Sequence, residues 1–194
     1  MQDQELLDIL KDCKAILHGH FQLTSGQHSD TYIQCARVLE QPSTTMKLAK
    51  EAIDRLDDKV KNAIDVVASP AVGGMLFGFA VAAMLDKPFI FSERVDGKMT
   101  FRRSFDVKDG QKVLVVEDVV TTGGSVKEVC DLVEKASGEV VAVVSIIDRK
   151  ADKKFAQDFY PLLELPTKSW DPSDCDLCKN GENLHSLGSR NLKK

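Results

Sequence analysis

The sequence predicts an α/β chain built on a central, mainly parallel sheet with helices on both faces. Three observations carry that expectation. Apolar runs rich in β-branched and aromatic residues recur at 64–68, 89–91, 113–116 and 140–147, interleaved with helical patterns at 45–56, 75–85 and 126–135. The runs are apolar almost throughout instead of alternating, as strands buried on both faces are. Each run also delivers glycines, hydroxyls or charges at its carboxyl end, where an open α/β sheet forms its ligand crevice.

Taken in order, residues 2–16 read as a helix, and 45–56 as a second. Ile-Asp-Val-Val-Ala at 64–68 is the first strand, followed by Ser69-Pro70-Ala71-Val72-Gly73-Gly74 and an apolar helix at 75–85. The face from Met75 to Met84 is expected in the core. Phe89-Ile90-Phe91 is the second strand, and it runs into Ser92-Glu93-Arg94. Val113-Leu114-Val115-Val116 is the third, ending in Glu117-Asp118. Ser125 with Glu128 three residues on has capping-box spacing, so the helix at 126–135 is expected to open there. The fourth strand, 140–147, ends in Asp148-Arg149, and the tail after Trp170 reads as irregular. No internal repeat, low-complexity segment or linker breaks the chain, which is expected to be one domain over 1–194.

Composition limits the partners. Of 194 residues 43% are hydrophobic and 29% charged, as in an ordinary globule, and the net charge of −4 argues against nucleic acid held by general electrostatics. No apolar run approaches the roughly 20 residues that span a bilayer, and the start Met-Gln-Asp-Gln-Glu is unlike a signal peptide. A cytoplasmic protein with no nucleic-acid or membrane partner is expected. Five cysteines, at 13, 35, 130, 175 and 178, do not form a secreted disulfide framework. Cys175 and Cys178 are the C-x-x-C pair. His185 is the nearest candidate third ligand and no fourth stands nearby, so a turn with free thiols is preferred to a metal knuckle. Metal binding and disulfide formation both stay open. For His28 a surface position is preferred to one facing a site, and Trp170 is read as core.

Thr121-Thr122-Gly123-Gly124-Ser125 leads straight into a helix, where unpaired backbone N–H groups and the positive end of the dipole suit an anion. Glycines permit close approach to phosphate oxygens, and the hydroxyls add donors. The Gly-Lys-Ser/Thr ending of a nucleoside triphosphate loop is missing, and so is Gly-x-Gly-x-x-Gly. Two carboxylates beside an anion site are unfavourable unless a ligand needs them. A sugar diol or a magnesium ion meets that need, so the expected ligand joins phosphate to hydroxyls, as a ribose phosphate does.

Residues 113–125, with four apolar residues, two acids, two apolar residues and Thr-Thr-Gly-Gly-Ser, resemble the phosphoribosyl pyrophosphate signature of the type I phosphoribosyltransferases. The resemblance implies that fold with a small amino-terminal hood, formed or flanked by about residues 1–40 and the C-terminal tail. It implies that Glu117 and Asp118 hold the ribose hydroxyls. Thr121, Thr122, Gly123, Gly124 and Ser125, after Val119 and Val120, would take the 5′-phosphate. Ala71, Val72, Gly73 and Gly74 resemble the pyrophosphate loop. Phe21 to Tyr32 resembles the segment that orotate phosphoribosyltransferases lay over the pyrimidine, which assigns Thr24, Ser25, Gly26 and Tyr32 to orotate together with Thr121 and Arg149. Ser92-Glu93-Arg94 through Arg103 resembles their catalytic loop, with Arg94 and above all Lys98 acting on the donor. Cys175-x-x-Cys178 through Gly188-Ser189-Arg190 resembles the tail of one bacterial branch.

The implied reaction is magnesium-dependent transfer of ribose 5-phosphate from phosphoribosyl pyrophosphate to orotate, in pyrimidine (UMP) biosynthesis. Magnesium would be held mainly through the substrate, with Asp118 in contact through water. A homodimer sharing the loop lysine across its interface is implied as well. Independently of the resemblance, the planar fork of Arg149 suits a carboxylate, and Arg94, Lys98, Arg102 and Arg103 suit a diphosphate leaving group. The chain departs from the pattern at Val95, Thr100, Gly73 and Thr24, where the family often has lysine, histidine, lysine and lysine. The rival readings are a purine phosphoribosyltransferase and a non-catalytic regulator that senses the same donor.

Overall fold

The computed structural model describes residues 1–23 and 25–187. Helix α1 (Asp3–Asp12) is followed by strands β1 (Ile16–Gln22) and β2 (His28–Ile33) and by helices α2 (Ala36–Leu39), α3 (Pro42–Arg55) and α4 (Asp58–Ala63). Next come β3 (Val66–Pro70), α5 (Gly73–Leu85), β4 (Phe89–Val95) and β5 (Lys98–Phe101). The chain continues through β6 (Lys112–Val120), α6 (Gly124–Lys135), β7 (Glu139–Asp148), β8 (Phe159–Glu164), β9 (Ser169–Trp170) and α7 (Asp176–Lys179).

Six strands form the main sheet in the order β5-β4-β3-β6-β7-β8, parallel except for the antiparallel β4–β5 hairpin. Successive side chains of β6 point to opposite faces, and the core divides accordingly. Leu114 and Val116 join Leu48, Ala52, Phe77 and Val81 beneath α3 and α5. Val113 and Val115 join Val126, Val129 and Val133 beneath α6. Each such fully buried aliphatic side chain contributes about 1.5–3 kcal/mol relative to exposure. From β3 the chain winds through α5 to β4 on one side, and from β6 through α6 to β7 on the other. The winding therefore reverses between β3 and β6, and their carboxyl ends frame the crevice.

A second sheet, β1-β2-β9, is antiparallel and forms the hood. The tail docks on it: His185 donates its backbone N–H to His20 O at 2.8 Å and accepts that of Gln22 at 2.9 Å. Residues 188–190 of the tail motif lie outside the described residues.

The structure corrects several expectations. Helix α6 opens at Gly124, with Gly123 at φ 71° as its N-cap and no side-chain cap hydrogen bond. The left-handed glycine turns the chain into the helix before Ser125, so no capping box forms, and Glu128 instead pairs with Arg94 at 2.6 Å. The segment expected as a loop at 94–103 contains a two-residue hairpin turn, Asp96-Gly97, with φ of 47° and 79°. Asp-Gly is the sequence that such a turn favours. Strand β8 was not foreseen because Pro161 argues against a strand; it lies at the sheet edge, where proline is tolerated. On α5, Phe77 and Val81 are buried, but Leu76 and Phe79 are 57% and 63% exposed, so only part of the Met75 to Met84 face is core. Trp170 is half-buried at the hood edge. Among the described residues no helix is long and apolar enough to cross a membrane.

Candidate active site

At the point where the winding reverses, two helix N-termini flank the acidic pair. The first turn of α5 lies directly on it: a Cβ at Gly73 would stand 2.7 Å from Asp118 Oδ1, and one at Gly74 would stand 2.9 Å from Glu117 Oε1. Glycine at 73 is therefore tied to the position of Asp118, since a side chain there would displace the carboxylate. The Ala71–Val72 peptide is cis, and Ala71 N–H donates to Ser92 O at 2.8 Å.

The two acids are not equivalent. Glu117 is buried, and burial, followed by the charge of Asp118, pushes its carboxyl well above the usual carboxylate range. Its Oε1 accepts the Asp118 backbone N–H at 3.2 Å. Asp118 is only half-buried, and its Oδ1 accepts the Val119 N–H at 2.8 Å. Glu117 is thus held toward its protonated form, and Asp118 is the accessible carboxyl group of the pair.

Residues 121–125 form the entry to α6. Gly123 is fixed twice over, by its left-handed φ and by Phe155, whose ring would lie 2.4 Å from an added Cβ. Lys154 N–H donates to Thr122 O at 2.9 Å and ties the turn down. With no side chain capping α6, its first backbone N–H groups present an anion site strengthened by the helix dipole.

A cleft of about 340 Å³ joins this turn to the hood. Thr121, Thr122, Ser125 and Val119 line it from the main sheet, and Ser25 and Tyr32 from the hood, with Arg149 from the end of β7. Two groups of residues that are far apart in sequence therefore share one cavity. Tyr32 is half-buried, and burial, with the charge of Asp118, raises its hydroxyl pKa. Arg149 follows β7; its backbone N–H donates to Val120 O at 2.9 Å, and its Nε donates to Thr167 Oγ1 at 2.6 Å. Nη2 donates to Thr167 as well and reaches Ser29 Oγ at 3.5 Å. Burial lowers the Arg149 pKa, with Asp30 opposing. Among the described residues Arg149 has no ion-pair partner, and its Nη1 has no protein acceptor. A half-buried guanidinium in a cleft is best satisfied by an anionic ligand, and a planar one by a carboxylate.

Other expected site residues fall elsewhere. Thr24 lies outside the described residues. Gly26 supplies the left-handed turn, φ 89°, between β1 and β2, and does not line the cleft. Val120 is buried beneath the site. Arg94 bonds Glu128, and Arg103 pairs with Glu93 at 3.0 Å over the Phe91 ring. Lys98 is exposed on the edge strand β5, outside the cleft, with no ion pair among the described residues. Thr167 and Ser169 line the cleft without having been anticipated, because the strand β9 that places Ser169 is two residues long and carries no periodicity.

Two helix N-termini thus surround an acidic couple at the winding reversal of a parallel sheet. The model of the phosphoribosyl transferase domain family matches residues 35–175. The chain is 42% identical over 191 residues to an orotate phosphoribosyltransferase of Chlorobium phaeobacteroides (strain DSM 266 / SMG 266 / 2430), covering 98% of this chain and 97% of the relative. It is 44% identical over 191 residues to that of Heliobacterium modesticaldum (strain ATCC 51547 / Ice1), covering 98% and 100%. The chain belongs to the orotate phosphoribosyltransferase family. Solved structures share the fold. Orotate phosphoribosyltransferase from Aeropyrum pernix superposes with a TM-score of 0.70 at 23% identity, covering 82% of this chain and 93% of that one. An adenine phosphoribosyltransferase from Thermoanaerobacter pseudethanolicus gives 0.57 at 20%, covering 69% and 88%.

Proposed function

We propose that this chain transfers ribose 5-phosphate from phosphoribosyl pyrophosphate to orotate, giving orotidine 5′-monophosphate and pyrophosphate. The observation that carries the reading is Arg149, an unpaired cation lining the same cleft as Thr121, Thr122 and Ser125. Holding donor and acceptor together in one cleft supplies the positional part of catalysis.

On this reading the α6 N-terminus takes the 5′-phosphate, Asp118 accepts hydrogen bonds from the ribose hydroxyls, and the first turn of α5 faces the diphosphate. Arg149 takes the orotate carboxylate, and Tyr32 and Ser25 border the ring. A ring nitrogen of orotate gives up its proton to solvent and forms a bond to the anomeric carbon as the carbon–oxygen bond to pyrophosphate breaks, and that electron pair leaves on pyrophosphate. Positive character on the ribose lies near Asp118, and negative charge grows beside the helix N-termini, so both are stabilised by fixed groups. The donor set suits magnesium: one accessible carboxylate, Asp118, next to a diphosphate site matches an ion that keeps most of its waters and binds largely through substrate. When bound, magnesium neutralises diphosphate charge.

A homodimer belongs to the same proposal. Val72, Leu76 and Phe79 expose apolar surface at successive turns, and Phe79 contacts Phe89 of β4, the strand that leads to Lys98. A second copy on this face would bury it and bring Lys98 toward the neighbouring cleft. Restored activity in heterodimers of Lys98→Ala and Asp118→Asn subunits is expected; none in verified heterodimers contradicts the shared lysine. For the reaction itself, purified protein with magnesium and phosphoribosyl pyrophosphate is offered orotate, uracil, hypoxanthine and adenine separately. Orotate is expected to be consumed at least a hundredfold faster than any other, roughly the discrimination that charge-assisted hydrogen bonds to its carboxylate supply. Preferential use of a purine overturns the assignment.

A further inference from the structure

We infer that the hood contains a structural zinc site made by His20, His28, Cys175 and Cys178. These residues come from β1, β2 and the turn of α7, yet one ligand atom from each lies within 4.8 Å of every other. His20 Nε2 is 3.0 Å from His28 Nδ1, 3.5 Å from Cys175 Sγ and 3.7 Å from Cys178 Sγ. Cys178 Sγ is 3.3 Å from His28 Nδ1. With zinc–sulfur bonds of about 2.3 Å and zinc–nitrogen bonds of about 2.0–2.1 Å, a tetrahedron has edges of roughly 3.3–3.8 Å. The observed separations match that figure, with the two nitrogens slightly closer.

The surroundings argue for a cation rather than a hydrogen-bonded cluster. His20 Nδ1 lies 3.0 Å from Glu182 O, a backbone acceptor, so Nδ1 carries the proton and Nε2 turns its lone pair inward. That is the arrangement in which a metal-bound histidine is held by its outer partner. One lone pair satisfies one donor, yet three neighbours converge on Nε2. A shared ion at their centre accounts for all three. The donors are two sulfurs and two imidazoles, the tetrahedral soft set that selects zinc over magnesium. His20, His28 and Cys175 are buried and Cys178 stands exposed at the rim; all four positions come from protein, as in a structural centre.

Local structure explains how the ligands meet. The β1–β2 register shifts between His18 and Phe21, and such a bulge re-aims side chains, so neighbouring His20 and Phe21 are both buried. Cys175 and Cys178 stand three residues apart on a helical turn, which puts both sulfurs on one face. His185, the ligand suggested by proximity in sequence, packs its ring against Phe21 instead. The bound ion would fasten the tail to the hairpin whose turn borders the cleft.

Full-length protein, purified without chelator and freed of any affinity tag, is assayed for metal by mass spectrometry. About one zinc per chain is expected, falling at least tenfold in Cys178→Ser and His28→Gln and unchanged in His185→Ala. A second measurement does not depend on how the ligand variants fold. Wild-type protein stripped of metal and titrated with cobalt(II) alone should show, at one equivalent, the intense visible bands of a tetrahedral ion and a near-ultraviolet thiolate charge-transfer band, both abolished by zinc. The proposal is overturned if wild-type protein with native circular dichroism holds less than about a tenth of an equivalent of either metal. An octahedral cobalt spectrum, or a Cys175–Cys178 disulfide in freshly purified protein, overturns it equally.

Discussion

The donor cradle and the hood cluster both bring polar groups to a buried point, but they are assembled in opposite ways. At the cradle one continuous stretch, 113–125, supplies a strand, two acids and a helix entry, and each group's position follows from local geometry. In the hood, His20 and His28 meet cysteines about 150 residues away, held by a strand bulge and a docked tail. The first kind of site is written in spacing along the chain. The second exists only after the tertiary structure has formed, and its residues separately look like an exposed histidine and a free thiol pair.

That difference can be broken or sharpened by experiment. Between these two regions the larger effect is expected at the cradle. Asp118→Asn removes the accessible carboxyl group while sparing the fold, and kcat/KM for phosphoribosyl pyrophosphate should fall roughly 10- to 100-fold, the worth of a charge-assisted hydrogen bond. Steady-state kinetics measures it, and unchanged donor use contradicts the role given to Asp118.

A smaller effect separates the two acids. Because the fold raises the Glu117 pKa, the stability this group contributes is complete below the ordinary carboxylate pKa of about 4.3 and is lost as pH rises toward the folded value. Glu117→Gln, neutral at every pH, escapes that loss. Its Tm relative to the unaltered chain should rise from pH 4 to pH 8 by about 2 °C or more, equivalent to roughly 1 kcal/mol in a chain of this size. A difference that does not change with pH contradicts the asymmetry.

The smallest catalytic effect is expected in the hood. If its cluster is structural, Cys178→Ser should lower Tm by several degrees yet alter kcat/KM for the donor less than about threefold, since no cluster residue reaches the cradle. A loss as large as that of Asp118→Asn would show that the two regions are not separable.

Much of the main sheet was legible because β3, β6 and β7 are apolar over most of their buried length, with polar residues mainly toward their carboxyl ends. The elements that escaped did so for identifiable reasons. Pro161 disguised β8, Asp96-Gly97 was read as part of a loop although it is a hairpin turn, and Ser125 looked like a cap that Gly123 pre-empted. Gly73 and Gly74 were read as part of a loop, and they form the first turn of α5. That Gly73 replaces a lysine acquires its reason only from the 2.7 Å approach to Asp118, which depends on two strands being neighbours. On the acceptor side the sequence pointed to Arg149, while Thr167, which orients it, lies in a segment with no pattern at all.

The central claim is that donor and acceptor occupy separate halves of one cleft, with Arg149 serving orotate alone. The most direct test measures both substrates on Arg149→Ala by titration calorimetry and initial rates. The account predicts that phosphoribosyl pyrophosphate affinity stays within about twofold while kcat/KM for orotate falls roughly a hundredfold or more, as loss of a bidentate charged contact requires. Equal loss for both substrates, or undiminished use of orotate, would contradict it.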